Sequence, residues 1–403
     1  MARSYLSVEE AAERLIGLVT APDRCQQLPL LEAPGRVCGR DLAASMDQPP
    51  FDRSPLDGYA LRHTDLAGAS PAHPACLKVV RQIFAGDPPG APLEPGQAVR
   101  IMTGAPIPPG ADCVIRQEDT DCGEETVRVF QPLSAHDNIC PRGEDLRAGF
   151  PLLSRGQVLT SAHVGVLAGQ GIQEVPVFPR PRIGLLATGS ELTPPGQPLA
   201  PGKIHDSNQY YLSARLTELG MLPVWGQRRG DDPAILTDSV AELLDTCGGV
   251  ITTGGVSVGL RDYMPQVCRR LGARELFHGV AVKPGAPVLA MVSRGKPVIC
   301  LSGNPFAAAA TLELLARPML WRMAGRRDWA LPRASGVLET AFPKASPGRR
   351  LVRASIRNGA VSIPAGSHVS GSLSTLMDCN CLVDIPAGSP PLSPGTQVEV
   401  VLL

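Results

Sequence analysis

The stretch Gly248 to Tyr263, GGVITTGGVSVGLRDY, offers two chemistries in one turn. Gly255-Val256-Ser257-Val258-Gly259 matches G-x-S-x-G, the sharp turn that presents the nucleophilic serine of α/β-hydrolases. Read from Thr252, the same run is a strand end followed by Gly254, Gly255 and the Ser257 hydroxyl, with Asp262 beyond it. That composition suits a cradle for an anionic ligand, because glycines let the backbone come close and helix-start amides favour negative charge. A hydrolase also needs an acid and then a histidine downstream. His278 follows too closely, and His368 falls in a strand-rich tail. Asp262 and Pro265 put the next helix start about five residues after Ser257, whereas a nucleophile turn leads almost directly into its helix. The cradle is the preferred reading.

Other loops have the same character. Thr188-Gly189-Ser190-Glu191, Gly230-Asp231-Asp232 and Ser302-Gly303-Asn304-Pro305 each follow a strand-like run. In an open parallel sheet, ligands bind beyond the carboxyl ends of the strands, so these loops should converge on one crevice. Thr188, Thr252, Thr253, Ser257 and Ser302 supply hydroxyls. Glu191, Asp231 and Asp262 are oxygen ligands for a hard cation such as Mg²⁺; Asp231 and Asp262 also suit plain helix N-caps. Lys283 in Val282-Lys283-Pro284-Gly285 places a positive charge beside the same crevice, or is simply solvated. The segment PPFDRSPLDGYALR, with Asp57-Gly58, and Thr103-Gly104 at another strand end form a second candidate region. Asp57-Gly58 is equally an ordinary tight turn.

The elements that must position these residues fall into blocks. Ser7 and Glu10 form a capping box ahead of Ala11, Ala12, Leu15, Ile16 and Val19 at helical spacing. Residues 47–141 read as a β-rich domain of short strands between Gly/Pro turns. Residues 1–46 with 142–180 read as a small split helical or linker domain. Residues 181–328 alternate strand and helix, which predicts a mostly parallel α/β domain. In it we expect strands at 183–187, 222–226, 249–252 and 297–301, and helices at 209–218, 234–244 and 306–315. Residues 329–403 return to strands and predict a small β-barrel or sandwich.

Bulk composition narrows the function. Lys+Arg and Asp+Glu balance at 38 each, and aromatics are 4%, so neither a charged nor a stacking surface for nucleic acid is indicated. The cysteines number 11 with no C-x-x-C pair, which argues against zinc sites or disulfides and for a reducing compartment. No apolar run reaches spanning length and the first residues lack a signal-peptide core, so the expectation is a cytoplasmic protein with no membrane role.

The motifs PPFDRSPLDGYA, RIMTGAPIPPGADCVI, RGEDLRAG, LLATGSEL, KIHDSNQYYLSARL, ITTGGVSVGLRDY, VKPGAPV and LSGNPFAAAATL stand in this order along the chain. Together they resemble the molybdopterin molybdenumtransferases, which include bacterial molybdenum-insertion proteins and the C-terminal half of gephyrin. The resemblance implies that adenylylated molybdopterin binds, AMP is released, and molybdate delivers molybdenum in a Mg²⁺-dependent step. It implies a homodimer of four-domain subunits, with molybdoenzymes or other proteins of the cofactor pathway as further partners. Asp57 and Thr103 would come from one subunit, and Glu191, Asp231, Asp262 and Lys283 from the other. Asp57, Asp262 and Lys283 would be catalytic, and Glu191, Asp231 and Asp262 would hold the metal. Thr103, Thr188, Gly254, Gly255, Ser257, Ser302, Gly303, Asn304 and Ser372 would contact substrate, Ser372 by a loose match.

Several basic positions of the family pattern are replaced, notably by Gly279 and Ala286. These losses predict weaker anion binding or a shifted substrate, and keep open a catalytically weak cofactor-binding carrier as a second reading.

Overall fold

The computed structural model describes residues 5–226, 232–256, 262–366 and 368–403. The chain divides into two compact units. One comprises 41–154 and 161–174; the other comprises 1–40, 155–160 and 175–403.

The first unit is built on a five-stranded sheet. Its strands are Gly58–Leu61 (β1), Ala75–Ile83 (β2), Gln97–Ile101 (β3), Cys113–Arg116 (β4) and Thr126–Val129 (β5), in the order β4-β1-β3-β2-β5. Both faces are covered. Tyr59, Leu61, Leu77 and Ile115 pack on one, and Ala60, Ile83, Val99 and Val114 on the other. The strict alternation along β1, β3 and β4 follows from the period of two. Helix α2, Ser161–Gly169, belongs to the same unit.

The second unit contains helix α1, Val8–Ile16, an α/β layer and a barrel. Both bonds of the Ser7/Glu10 capping box form, at 3.1 Å to the Glu10 amide and 3.0 Å back to the Ser7 amide. Val8, Ala11 and Leu15 are the buried stripe of α1. The six-stranded sheet comprises Arg182–Ala187 (β6), Leu222–Trp225 (β7), Gly249–Thr253 (β8), Arg274–His278 (β9), Leu289–Ser293 (β10) and Lys296–Leu301 (β11). Its order is β7-β6-β8-β11-β10-β9. The four strands β7, β6, β8 and β11 run parallel; β10 and β9 close the edge antiparallel. Strands β9 and β10 carry no expectation from the sequence. The hairpin from β10 to β11 turns at Arg294 and Gly295, both at positive φ, which is the two-residue turn whose twist suits a hairpin.

Helices Asn208–Glu218 (α3), Pro233–Thr246 (α4), Met264–Arg270 (α5) and Pro305–Thr311 (α6) accompany the sheet. From α6 the helical path continues through a π-turn, Leu312–Ala316, into Arg317–Met323 (α7), beyond the expected end at 315. Pro318, the second residue of α7, follows directly on that π-turn, and the helical path runs on through it.

The barrel is closed by Arg333–Leu338 (β12), Arg350–Arg357 (β13), Ala360–Ser362 (β14), Cys381–Ile385 (β15) and Gln397–Leu402 (β16), in the order β12-β14-β13-β15-β16. Closure removes the exposed edges that such short strands would otherwise present. All 11 cysteines are free. Among the described residues, no helix is long and apolar enough to cross a membrane.

Candidate active site

Beyond the carboxyl ends of β6, β8 and β11 lies a cavity of about 700 Å³. Its walls are Thr188 to Leu192, Ile204 to Asn208, Thr253 to Val256, Asp262, Tyr263 and Ser302 to Pro305. Three expected loops therefore meet as the sheet topology requires. Ser257 and Asp231 lie outside the described residues.

The cradle is held by backbone bonds between strand ends. The Thr188 amide and hydroxyl both donate to the Thr253 carbonyl, at 2.9 and 3.0 Å, and the Gly254 amide donates to the Leu301 carbonyl at 3.1 Å. Gly254 has φ +87°, and a Cβ there would stand 2.6 Å from the Thr188 hydroxyl. Only glycine fits at that point. Asn208 Nδ2 donates to the Gly303 carbonyl at 2.8 Å, tying α3 to the Ser302 loop. Ser302 is buried, and its hydroxyl accepts from the Asn304 amide at 3.2 Å. Thr252, expected as a donor, is buried on β8 and does not line the cavity.

The carboxylates of this cavity are Glu191, Asp206 and Asp262. Glu191 is exposed and its carboxylate folds over Gly189. Asp206 is buried and accepts from the Gln209 amide at 3.1 Å, one residue ahead of Ser207, the N-cap of α3. Asp262 is not the N-cap of α5; Tyr263 holds that position. The N-cap of α4 is Asp232, which accepts from the Ala234 and Ile235 amides at 2.7 and 3.2 Å. Among the described residues lining this cavity there is no lysine or arginine. Nor, among the described residues, is there a group of three His, Cys, Asp or Glu close enough to chelate a metal. Glu191, Asp206 and Asp262 offer oxygen donors of the kind Mg²⁺ takes beside waters and a substrate's phosphates.

Lys283 lines a second cavity, of about 600 Å³, between the α/β layer and the barrel. The two cavities share Pro287, Ser302 and Asn304. Lys344, Arg350 and His368 line the second one with Lys283, and no acid does so among the described residues. Lys344 and Arg350 have no expectation from the sequence. They arrive from the barrel, and only the pairing of Lys283 with β13 brings them close. The Lys283 amide donates to the Arg349 carbonyl at 2.9 Å, and the Leu351 amide donates back at 2.8 Å. Arg350 Nε donates to the Ser346 hydroxyl at 3.1 Å. Burial, and then the charge of Arg353, lower the His368 pKa, so this ring favours its neutral form.

A loop of the barrel completes the wall. Arg353 is fully buried, stacks 3.7 Å from the Phe306 ring centroid, and donates to Thr375 and, at 2.8 Å, to the Val369 carbonyl. The Phe306 amide donates to the Ser370 carbonyl at 2.9 Å. These bonds bring Ser370 to the second cavity and Gly371 to the first. Ser372 lines neither, and its hydroxyl is 3.5 Å from that of Ser374.

Asp57 and Thr103 belong to the other unit, where they contact each other. Asp57 Oδ1 accepts from the Thr103 amide at 2.7 Å and from its hydroxyl at 2.8 Å. Those bonds hold the Asp57 carboxyl below its ordinary pKa.

The serine-hydrolase reading fails on the spacing of elements. Strand β8 ends at Thr253 and α5 begins at Met264, too far apart for a nucleophile turn. His278 meets the carbonyl of Val256 at 3.1 Å through Nε2.

Gly279 has φ +106°, a backbone conformation that side chains rarely adopt, and a Cβ there would meet the Tyr5 ring at 2.2 Å.

Comparison with known proteins agrees with this layout. Residues 6–171 match the MoeA N-terminal region (domain I and II), 184–322 a probable molybdopterin binding domain, and 335–403 the MoeA C-terminal region (domain IV). The chain is 34% identical over 403 residues to a molybdopterin molybdenumtransferase of Staphylococcus aureus, covering 99% of this chain and 96% of that one. It is 36% identical over 401 residues to molybdopterin molybdenumtransferase 2 of Mycobacterium tuberculosis, covering 98% of each. A crystal structure of a molybdopterin biosynthesis MoeA protein from Pyrococcus horikoshii superposes with a TM-score of 0.86 at 30% identity, covering 99% of both chains. On these grounds the chain belongs to the molybdopterin molybdenumtransferase family.

Proposed function

We propose that this protein is a transferase of molybdenum cofactor biosynthesis that inserts molybdenum from molybdate into adenylylated molybdopterin. The observation that carries the reading is the junction of an acid-lined cavity with a base-lined one at Ser302 and Asn304. Water cleaves the phosphoanhydride and AMP leaves. The two dithiolene thiols then take molybdenum, and their protons leave with one molybdate oxygen as water.

The glycine cradle and the Thr188, Thr253 and Ser302 loops bind and orient the phosphorylated pterin through amides and hydroxyls. Lys283, Lys344 and Arg350 attract and hold the molybdate dianion, since charge-assisted bonds are the strong ones. Glu191 and Asp262, with Asp231, would hold Mg²⁺, which supplies charge neutralisation and alignment of the diphosphate. Asp57 and Thr103 enter from the family resemblance, as groups that one subunit of a homodimer offers to its partner. Asp57 there receives a proton from the attacking water. The protein works in the cytoplasm.

Purified protein with adenylylated molybdopterin, Mg²⁺ and molybdate should release AMP and yield the molybdenum-loaded pterin. Binding without AMP release would overturn the reading in favour of a carrier, the alternative that Gly279 and Ala286 favour. Light scattering should give twice the 42.4 kDa chain mass; a monomer would remove the homodimer.

A further inference from the structure

A third cavity, of about 180 Å³, lies at the opposite end of the α/β sheet. Phe178 to Pro181 line it, just before the start of β6, whereas the crevice lies beyond the end of that strand. At about 3.3 Å per residue, six residues of β6 separate the two by roughly 20 Å. The volume is below the ~300 Å³ at which sites for drug-sized ligands begin, and is too small for a pterin or nucleotide.

Three arginines are among its lining residues: Arg36, Arg180 and Arg326. Arg36 is only 8% exposed and donates through Nη2 to the Phe178 carbonyl at 2.9 Å. Arg326 lies 3.9 Å over the Trp321 ring, and its buried Nε has no hydrogen-bond partner. Glu218 is the one acid of the lining among the described residues, and its carboxylate accepts from Arg215 Nη1 at 2.8 Å. Burial first, and then the charge of Arg180, make the charged form of Arg36 less favourable than usual. Arg36 is buried, Arg326 is half-buried and Arg180 is exposed, with Glu32 acting on Arg36 and Asp328 on Arg326. Guanidinium groups fixed by stacking or by a backbone bond are well suited to holding an oxyanion.

We propose that this cavity binds one tetrahedral oxyanion, of the class of phosphate, sulfate and molybdate, separately from the crevice. The site is built from the chain's own arginines, which outnumber the acids of its lining. The inference does not depend on the transferase reading.

Calorimetric titration tests it, because melting shifts would mix in the general stabilisation that such salts give any protein. Sodium phosphate, sulfate and molybdate are titrated separately into the Lys283→Ala protein, which weakens oxyanion binding in the second cavity. At least one anion should bind saturably at one site, and the ranking of the three identifies the natural class member. Arg180→Gln and Arg326→Gln, each added to that background, should weaken binding at least tenfold with circular dichroism unchanged. Arg180 is exposed, so its variant serves even where the Arg326 variant fails to fold. No saturable binding by any of the three anions would overturn the proposal, as would binding that neither arginine variant alters.

Discussion

The two adjoining cavities are of similar volume and share Pro287, Ser302 and Asn304, yet their walls carry opposite charge. The first holds Glu191, Asp206 and Asp262 and no lysine or arginine among the described residues; the second holds Lys283, Lys344 and Arg350 and no acid among them. The origin of the walls differs as well. The acids stand on loops that follow parallel strands, where an α/β sheet puts ligands by construction. The bases are collected from one loop of the α/β layer and from the barrel, so the second cavity exists only while the barrel stays docked. The difference teaches a division of labour. Under the proposed function, a cation-assisted cleavage and an oxyanion substrate would demand opposite fields, and the two cavities that share Ser302 carry opposite charges without pairing them away.

Variants can break each half separately. Asp262→Asn should lower the rate of AMP release on the order of 10²–10³-fold, the scale for losing a preorganised electrostatic group, with molybdate affinity unchanged. Single-turnover assays would show this. Asp384→Ala attacks the docking of the basic half. Asp384 accepts from Arg349 at 2.8 and 2.7 Å and from Arg333 at 2.9 Å, and Arg349 leads into β13 beside Lys283. Removing one partner of a buried pair costs about 3 kcal/mol, measurable by urea denaturation.

The same carboxylate makes the basic half acid-sensitive. Burial raises the Asp384 pKa, but bonds to Arg349 and then Arg333 outweigh it, and the net shift is downward. Its contribution is therefore fully present above the unfolded pKa of about 4 and is lost as pH falls through the lower folded value. Asp384→Ala should remove that part of the acid dependence.

Smaller effects sharpen the comparison. Lys283→Ala should raise the half-saturating molybdate concentration about 10- to 100-fold, as expected for one charge-assisted bond. Gly254→Ala should cost about 1–2 kcal/mol, because a side chain is disfavoured at positive φ and would press on Thr188. Asp232→Ala should cost about 1 kcal/mol as a lost N-cap and leave AMP release intact, since Asp232 spends its Oδ1 on two amides.

What was readable in the sequence follows the range of the interaction. The Ser7/Glu10 box depends on neighbours three apart and is legible directly. Strands β6, β8 and β11, with the loops after them, follow from apolar runs ended by Gly and Ser. Asp232, ahead of Pro233, had the local signature of an N-cap, so the neighbouring acids could have been told apart. Strands β9 and β10 carry no such flanking signal and are defined by pairing with each other and with β11. Lys344 and Arg350 were not legible at all. Their place beside Lys283 is set by a backbone pairing of Lys283 with β13, and no pattern near either residue announces that contact.

The most direct test is the molybdate dependence of forming the molybdenum-loaded pterin, measured side by side for the wild type, Asp262→Asn and Lys283→Ala. The divided site predicts that Asp262→Asn lowers the plateau and keeps the half-saturating molybdate concentration. It predicts that Lys283→Ala keeps the plateau and moves the half-saturation upward by about 10- to 100-fold. A Lys283→Ala protein with unchanged half-saturation, or an Asp262→Asn protein whose defect is cured by more molybdate, would contradict it.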